Sequence, residues 1–199
     1  MIRYLVALIA LVGSIAAAEP QSYFVSNVAA DDVLNIRRDP NPQAEVIGSY
    51  PPFRLNVEVL DTTADGTWGR VGLGEGMGWV SMAYLEATPD ALDGTIPRPM
   101  SCFGTEPFWS LTMSARGDEY HLLGDGALPL TLVAETTAVN GYLATFSQGS
   151  DNHRTLIIQT LPCNDGMSDR AFGFRASLFN AVNGQNWVQS GCCTRDSGN

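Results

Sequence analysis

The chain has 199 residues, 45% of them hydrophobic, and its 21 acidic side chains outweigh 11 basic ones, all arginine, for a formal charge of −10. Phosphate binding needs a basic face, so this balance argues against nucleic acid and, for the same reason, against an anionic membrane surface. A cationic partner would suit the charge, but solubility alone explains it.

Met1-Ile2-Arg3 leads into an apolar run from Tyr4 to Val12, and Ala16-Ala17-Ala18 precedes Glu19-Pro20. A single positive residue, an apolar stretch shorter than the roughly twenty residues of a membrane span, and small side chains at Ala16 and Ala18 predict a secretory signal peptide, residues 1–18, cut after Ala18. Since no cysteine near that site could carry an acyl chain, the expectation is export to the periplasm without a stable membrane anchor. Removal of 18 of the 199 residues leaves 181, with the charge moving from −10 to −11 as Arg3 departs. That length holds one large or two small domains. The reading taken is two, at 19–86 and 102–199, joined by a linker at 87–101.

The first of these begins with a short strand in the segment 21–30, around Tyr23-Phe24-Val25 and Val28. Val33-Leu34-Asn35-Ile36-Arg37 alternates apolar with polar side chains, which predicts a strand with Leu34 and Ile36 inward. Asp39-Pro40-Asn41-Pro42-Gln43 is a loop, because its prolines remove backbone donors. Val46-Ile47-Gly48 resumes a strand, Pro51-Pro52 interrupts it, and Leu55-Asn56-Val57-Glu58-Val59 repeats the two-residue period. After a polar turn from Asp61 to Gly66 come Trp68-Gly69-Arg70-Val71, then Gly78-Trp79-Val80, and Tyr84-Leu85 closes the segment. The glycines at 72, 74, 76 and 78 predict a hairpin bend; a phosphate loop would need a strand-to-helix switch and a lysine.

Six ordered blocks, Leu34-Asn35-Ile36-Arg37, Val46-Ile47-Gly48, Val57-Glu58-Val59, the Trp68 strand, Gly78-Trp79-Val80 and Tyr84-Leu85, resemble the bacterial SH3 (SH3b) domain over about fifty residues. The resemblance implies a small barrel with a ligand groove, one wall of it the proline loop, that takes peptidoglycan or its stem peptides. Aromatic faces pair with sugars and peptide backbone at low entropic cost. The candidate ligand-binding residues are therefore Trp68, Trp79 and Tyr84 as stacking faces, with Asn35, Arg37 and Asp39 as polar partners. Barrel packing is the competing role for either tryptophan.

The segment from Glu86 to Ser101 carries Pro89, Pro97 and Pro99 with Asp90, Asp93 and Gly94, lacks apolar periodicity, and reads as the linker. From Cys102 on, short apolar runs recur, separated by Asp125-Gly126, Asn140-Gly141 and Asn183-Gly184, pairs suited to the positive backbone angles of tight hairpins. The pattern predicts a second antiparallel β domain, barrel or sandwich, so the fold class is all-β: an SH3-like small barrel followed by a disulfide-bonded β domain. The run from Cys102 to Trp109, Cys-Phe-Gly-Thr-Glu-Pro-Phe-Trp, and the run Cys163-Asn164-Asp165-Gly166-Met167-Ser168-Asp169 with the later Gly191-Cys192 resemble a family of bacterial envelope proteins, which supports the location and brings no activity. Glu106, Trp109, Asp165, Ser168, Asp169 and Arg170 form a possible second site, with local turn chemistry as the competing explanation.

The four cysteines, Cys102, Cys163, Cys192 and Cys193, would meet an oxidising compartment and are read as disulfides. Adjacent cysteines rarely bridge, so Cys102 and Cys163 are each expected to take one of the pair, in either arrangement. Zinc and redox sites would call for spaced Cys-x-x-Cys pairs, which are missing from the sequence, so no metal or cofactor is implied. A cell-wall hydrolase is poorly supplied. No histidine follows Cys163, Cys102 lacks the setting of a nucleophile, and His121 and His153 lack zinc-ligand spacing. The expectation is a non-enzymatic envelope protein whose SH3-like domain binds peptidoglycan or an envelope peptide. The alternatives are an inhibitor of lysozyme or another hydrolase, and an accessory or enzyme of wall hydrolysis.

Overall fold

The computed structural model describes residues 20–89, 94–124 and 126–196. The expected signal peptide and its cleavage site lie outside them. Among the described residues the regular structure consists of strands and a single 3-10 turn at Met82–Tyr84. The protein is all-β.

In the first half, β1 (Gln21–Val25), β2 (Leu34–Arg37), β3 (Val46–Tyr50), β4 (Val57–Thr62), β5 (Trp68–Leu73), β6 (Gly76–Ser81) and β7 (Leu85–Ala87) form one antiparallel sheet in the order β3-β2-β6-β5-β4-β1-β7. Its core is a cluster made of the sheet's own side chains, among them Val25, Leu34, Ile36, Val57, Val71 and Val80. A single sheet surrounds a core of that kind only by curling on itself, which the right-handed twist of strands favours. The edges β3 and β7 are not hydrogen-bonded to each other, so the small barrel is an incompletely closed one. The β5–β6 hairpin turns through Gly74 and Glu75, with Gly74 at φ +54°, where glycine carries no Cβ penalty. The second alternating run behaves differently from its pattern. Asn56 takes φ +57°, Leu55 is exposed, the strand starts at Val57, and Glu58 is 5% exposed although its phase sends it to solvent.

The second half resolves barrel against sandwich. Strands β8 (Met100–Thr105), β9 (Phe108–Ser114), β10 (Gly117–Leu122), β11 (Leu128–Ala138), β12 (Gly141–Gln148), β13 (Asn152–Gln159), β16 (Phe174–Val182) and β17 (Gln185–Thr194) close into an antiparallel barrel, β17 pairing back onto β8. Between β13 and β16 the chain leaves the barrel to form a separate small ladder of β14 (Cys163–Asn164) and β15 (Ala171–Phe172). The lumen is filled by inward side chains such as Trp109, Leu111, Met113, Phe146, Leu156 and Leu178. Asn183 and Gly184 both have positive φ and form the two-residue turn between β16 and β17. At Asn140-Gly141 the turn falls one residue early, on Val139 and Asn140, and Gly141 is already in β12, while Asp125 of the remaining pair lies outside the described residues.

Part of the expected linker belongs to this barrel. Ile96 and Met100 are buried in its core, while Arg98 reaches Asp118 (3.3 Å) and Glu135 (2.9 Å) and so caps one barrel end. Single anchoring side chains leave no periodic signature. The cysteines pair as Cys102–Cys193 and Cys163–Cys192. Neighbours on a strand point to opposite faces, so Cys193 meets Cys102 inside the barrel and Cys192 holds β14 against its outer wall.

The two halves touch through this excursion and the end of β17. Glu58 accepts hydrogen bonds from the Thr194 hydroxyl (3.2 Å) and the Arg195 backbone N–H, and Arg54 pairs with Asp196 at 2.6 Å.

Candidate functional site

Because Leu34 and Ile36 point into the core, Asn35 and Arg37 must face outward, and the neighbouring strands add Trp68 and its cross-strand partner Ser81 to the same face. Asn35, Arg37, Trp68, Ser81 and Tyr84, with Asn27 and Asp32 from the β1–β2 connection, border a cleft of about 720 Å³. Trp68 is half-buried and Tyr84 exposed, so both rings have solvent-facing surface. The Arg37 guanidinium donates to the Ala44 carbonyl at 2.7 Å, which fastens the proline loop beside the cleft, and Pro42 of that loop joins the lining. Asp32 caps the start of β2 by accepting the Val33 N–H at 2.8 Å.

Two of the six expected residues stand apart. Trp79 lies on the same outer face as the register partner of both Arg37 and Arg70 and is half-buried there, but it does not border the cleft. Asp39 is exposed in the loop, where its backbone carbonyl accepts the Asn41 N–H, and is also outside the lining. Asn27, Asp32, Thr67 and Ser81 were missed by strand periodicity because three of them sit in connections; the polar pair Asp31-Asp32 just ahead of the Leu34 strand was the available signal.

The second cluster divides. Glu106 and Asp165 share a groove of about 840 Å³ on the outer wall of the barrel with Phe103, Phe108, Met167 and Arg175. The Asp165 carboxylate is already engaged, accepting the backbone N–H groups of Met167 (3.0 Å) and Ser168 (2.9 Å) and the Ser168 hydroxyl (3.1 Å). Partial desolvation works to raise its pKa, but those donors together hold it below the ordinary aspartate value. Trp109 turns into the barrel, where its indole N–H donates to the Ser190 carbonyl at 3.3 Å. Arg170 leaves the loop for the interface, its guanidinium 5.0 Å from the Phe172 ring centre and 3.8 Å from Asp196. Asp169 is exposed over a shallow depression with Glu75 and Ser168. The six residues thus serve a self-bonded turn, a core contact and a domain contact. Trp109, Asp165, Ser168 and Arg170 nevertheless border one cavity of about 370 Å³ with Phe172 and Asp196, while Glu106 and Asp169 stand outside it.

His121 is on β10 and His153 on β13, with two strands between them in the barrel. Among the described residues no three of His, Cys, Asp and Glu come together as a metal site, and no helix is long and apolar enough to cross a membrane. Comparison of the chain with family models, with curated proteins and with solved structures finds no match.

Proposed function

We propose that the chain is a non-enzymatic protein of the bacterial cell envelope, exported to the periplasm, whose first half is an SH3-like domain that binds peptidoglycan or an envelope peptide in the Trp68–Tyr84 cleft. The observation that carries the reading is the composition of that cleft: two accessible rings beside Asn35, Arg37 and Asp32 in one concavity. The rings offer flat apolar faces to sugar or peptide backbone, and the polar groups fix register through hydrogen bonds. Arg37 adds a cation suited to a ligand carboxylate. Two disulfides fit an oxidising compartment.

The test is co-sedimentation of the purified protein with insoluble peptidoglycan. The intact protein is expected in the pellet, and Trp68→Ala and Tyr84→Ala are each expected to weaken retention about tenfold, as truncation of an aromatic anchor does. Failure of the intact, folded protein to pellet overturns the proposal. So does undiminished retention of the Trp68→Ala, Tyr84→Ala double variant.

A further inference from the structure

Two cavities meet on the outer wall of the second barrel. The larger, of about 840 Å³, lies between the excursion 163–167 and residues of β8, β16 and β17, and the smaller, of about 370 Å³, runs from there to the β5–β6 turn of the first half. They share Phe103, Thr105, Phe108, Asp165 and Met167, so they form one groove that both halves of the chain enclose. Phe108, Met167 and Val188 on its lining are 46%, 65% and 61% exposed, and Phe103 meets Phe172 edge-on in the smaller cavity. Large apolar side chains gathered around one open concavity mark a surface that something covers.

The walls are fixed before any partner arrives. Cys163–Cys192 ties the excursion to β17, the β14–β15 ladder closes its base, and the turn at Asp165 bonds to itself, so an occupant has little of the protein to order. Charge around the groove is one-sided. Glu106 borders the larger cavity, Glu75 the smaller and Asp165 both, while Asp169 joins Glu75 over the adjoining depression. Among the described residues none of these four carboxylates has an ion-pair partner. The Arg170 guanidinium is taken up by Asp196 at 3.8 Å, which leaves Arg175 of the larger cavity as the one cation facing them.

We infer that this groove docks a segment of a partner polypeptide that carries apolar side chains together with arginine or lysine. The apolar side chains lie against Phe103, Phe108, Met167 and Val188, where the flexible thioether of Met167 adapts to more than one shape. The basic ones reach Glu106, Asp165 and Glu75. A small amine would answer the carboxylates and leave the apolar wall bare, and an acidic segment would meet like charge along the groove. Arg175 donates to carbonyl groups of the docked backbone. The groove shares no lining residue with the Trp68 cleft, so the fate of one reading leaves the other untouched.

Calorimetric titration of the full chain with three capped peptides tests it: one of leucine, phenylalanine and arginine, a second with glutamate in place of arginine, and a third with serine in place of the apolar residues. Saturable binding of the first is expected, with the third about tenfold weaker or less and the second inactive. The double variant Phe108→Ser, Met167→Ser changes exposed side chains and is expected to melt with the parent and to bind the first peptide about tenfold more weakly. If it melts lower, Met167→Ser alone is read in its place. Glu75→Gln, Glu106→Gln is expected to weaken binding about three- to tenfold and to flatten its salt dependence. Glu86→Gln, Asp151→Asn removes the same charge from exposed sites outside the groove and is expected to leave the affinity unchanged. Absence of saturable binding, equal binding of the second or third peptide, unchanged affinity in the groove variants, or equal loss in the two charge variants overturns the proposal. So does loss of binding in Trp68→Ala while the groove variants bind as the parent does. A parent that sediments as a dimer and becomes monomeric in the Phe108→Ser, Met167→Ser variant also overturns it, since a second copy then fills the groove.

Discussion

Glu58 shows how one side chain departs from its local pattern for a tertiary reason. Loss of solvent raises its carboxyl above the ordinary glutamate value, and the bonds from Arg195 and Thr194 offset part of that rise. Between the ordinary and the raised value the folded chain holds a proton that the unfolded chain has released. The resulting stability is therefore greatest on the acid side of the window and declines as pH climbs through it. Glu58→Gln keeps an acceptor oxygen and removes the charge. It is expected to flatten the urea stability curve from about pH 4.5 upward, with stability at neutral pH no lower than the parent's. Parallel pH profiles for parent and variant would refute this. Gly104 makes the opposite point, a residue whose worth is what it lacks. A Cβ there would overlap the Trp109 indole nitrogen and the Ser190 carbonyl, which hydrogen-bond to each other. Gly104→Ala is expected to cost about 1–3 kcal/mol and to shift tryptophan emission toward that of solvent-exposed indole; an unaltered spectrum and melting point would contradict it.

At the scale of elements, the barrel closes through a short seam. Strands β8 and β17 pair over Ser101 to Phe103 against Cys192 to Thr194, while β16 and β17 run together from Phe174 and Cys193 to Val182 and Gln185. Cys102–Cys193 bridges the middle of the seam and closes a separation of 91 residues, against 29 for Cys163–Cys192. Chain entropy then predicts a loss of about 4–5 kcal/mol for the Cys102→Ala, Cys193→Ala double variant and about 3–4 kcal/mol for Cys163→Ala, Cys192→Ala. The second variant keeps the barrel and frees the segment 163–172, so limited proteolysis is expected to cut it there; equal protection in parent and variant would argue against a strap role. Much at this scale was readable beforehand. The alternation of Leu34 and Ile36 with Asn35 and Arg37 separated core from cleft, the neighbouring Cys192 and Cys193 forced two different partners, and Asn183-Gly184 marked its own turn. What joins distant strands was not readable, because no local rule ties Cys102 rather than Cys163 to Cys193, or places Asn27 and Asp32 beside Trp68. The buried polar residues of the second barrel left a usable trace: Arg154 is in phase with buried Leu156 and Ile158, and Asn180 with Leu178 and Ala176.

Across the whole molecule, the contact between halves includes a buried ionic group, and this decides how it fails. The Arg54 and Asp196 side chains are 9% and 10% exposed at a separation of 2.6 Å, and Arg170 approaches the same carboxylate at 3.8 Å. Desolvation cancels much of what such a pair gains, so its presence adds little net stability. Its rupture is another matter, since Asp196→Ala strips a buried carboxylate from two guanidinium groups and is expected to cost about 3–5 kcal/mol. Burial also shields the contact from salt, so the penalty should persist at high ionic strength, unlike that of the exposed Arg38–Glu45 pair. With the contact intact, Glu58 and Arg54 of the first half depend on Thr194 to Asp196 of the second, and the two halves are expected to unfold in one calorimetric transition. Asp196→Ala should separate that transition into two, the lower belonging to the curled sheet. Two transitions in the parent protein, or one undivided transition in the variant, would show that the halves are coupled in some other way.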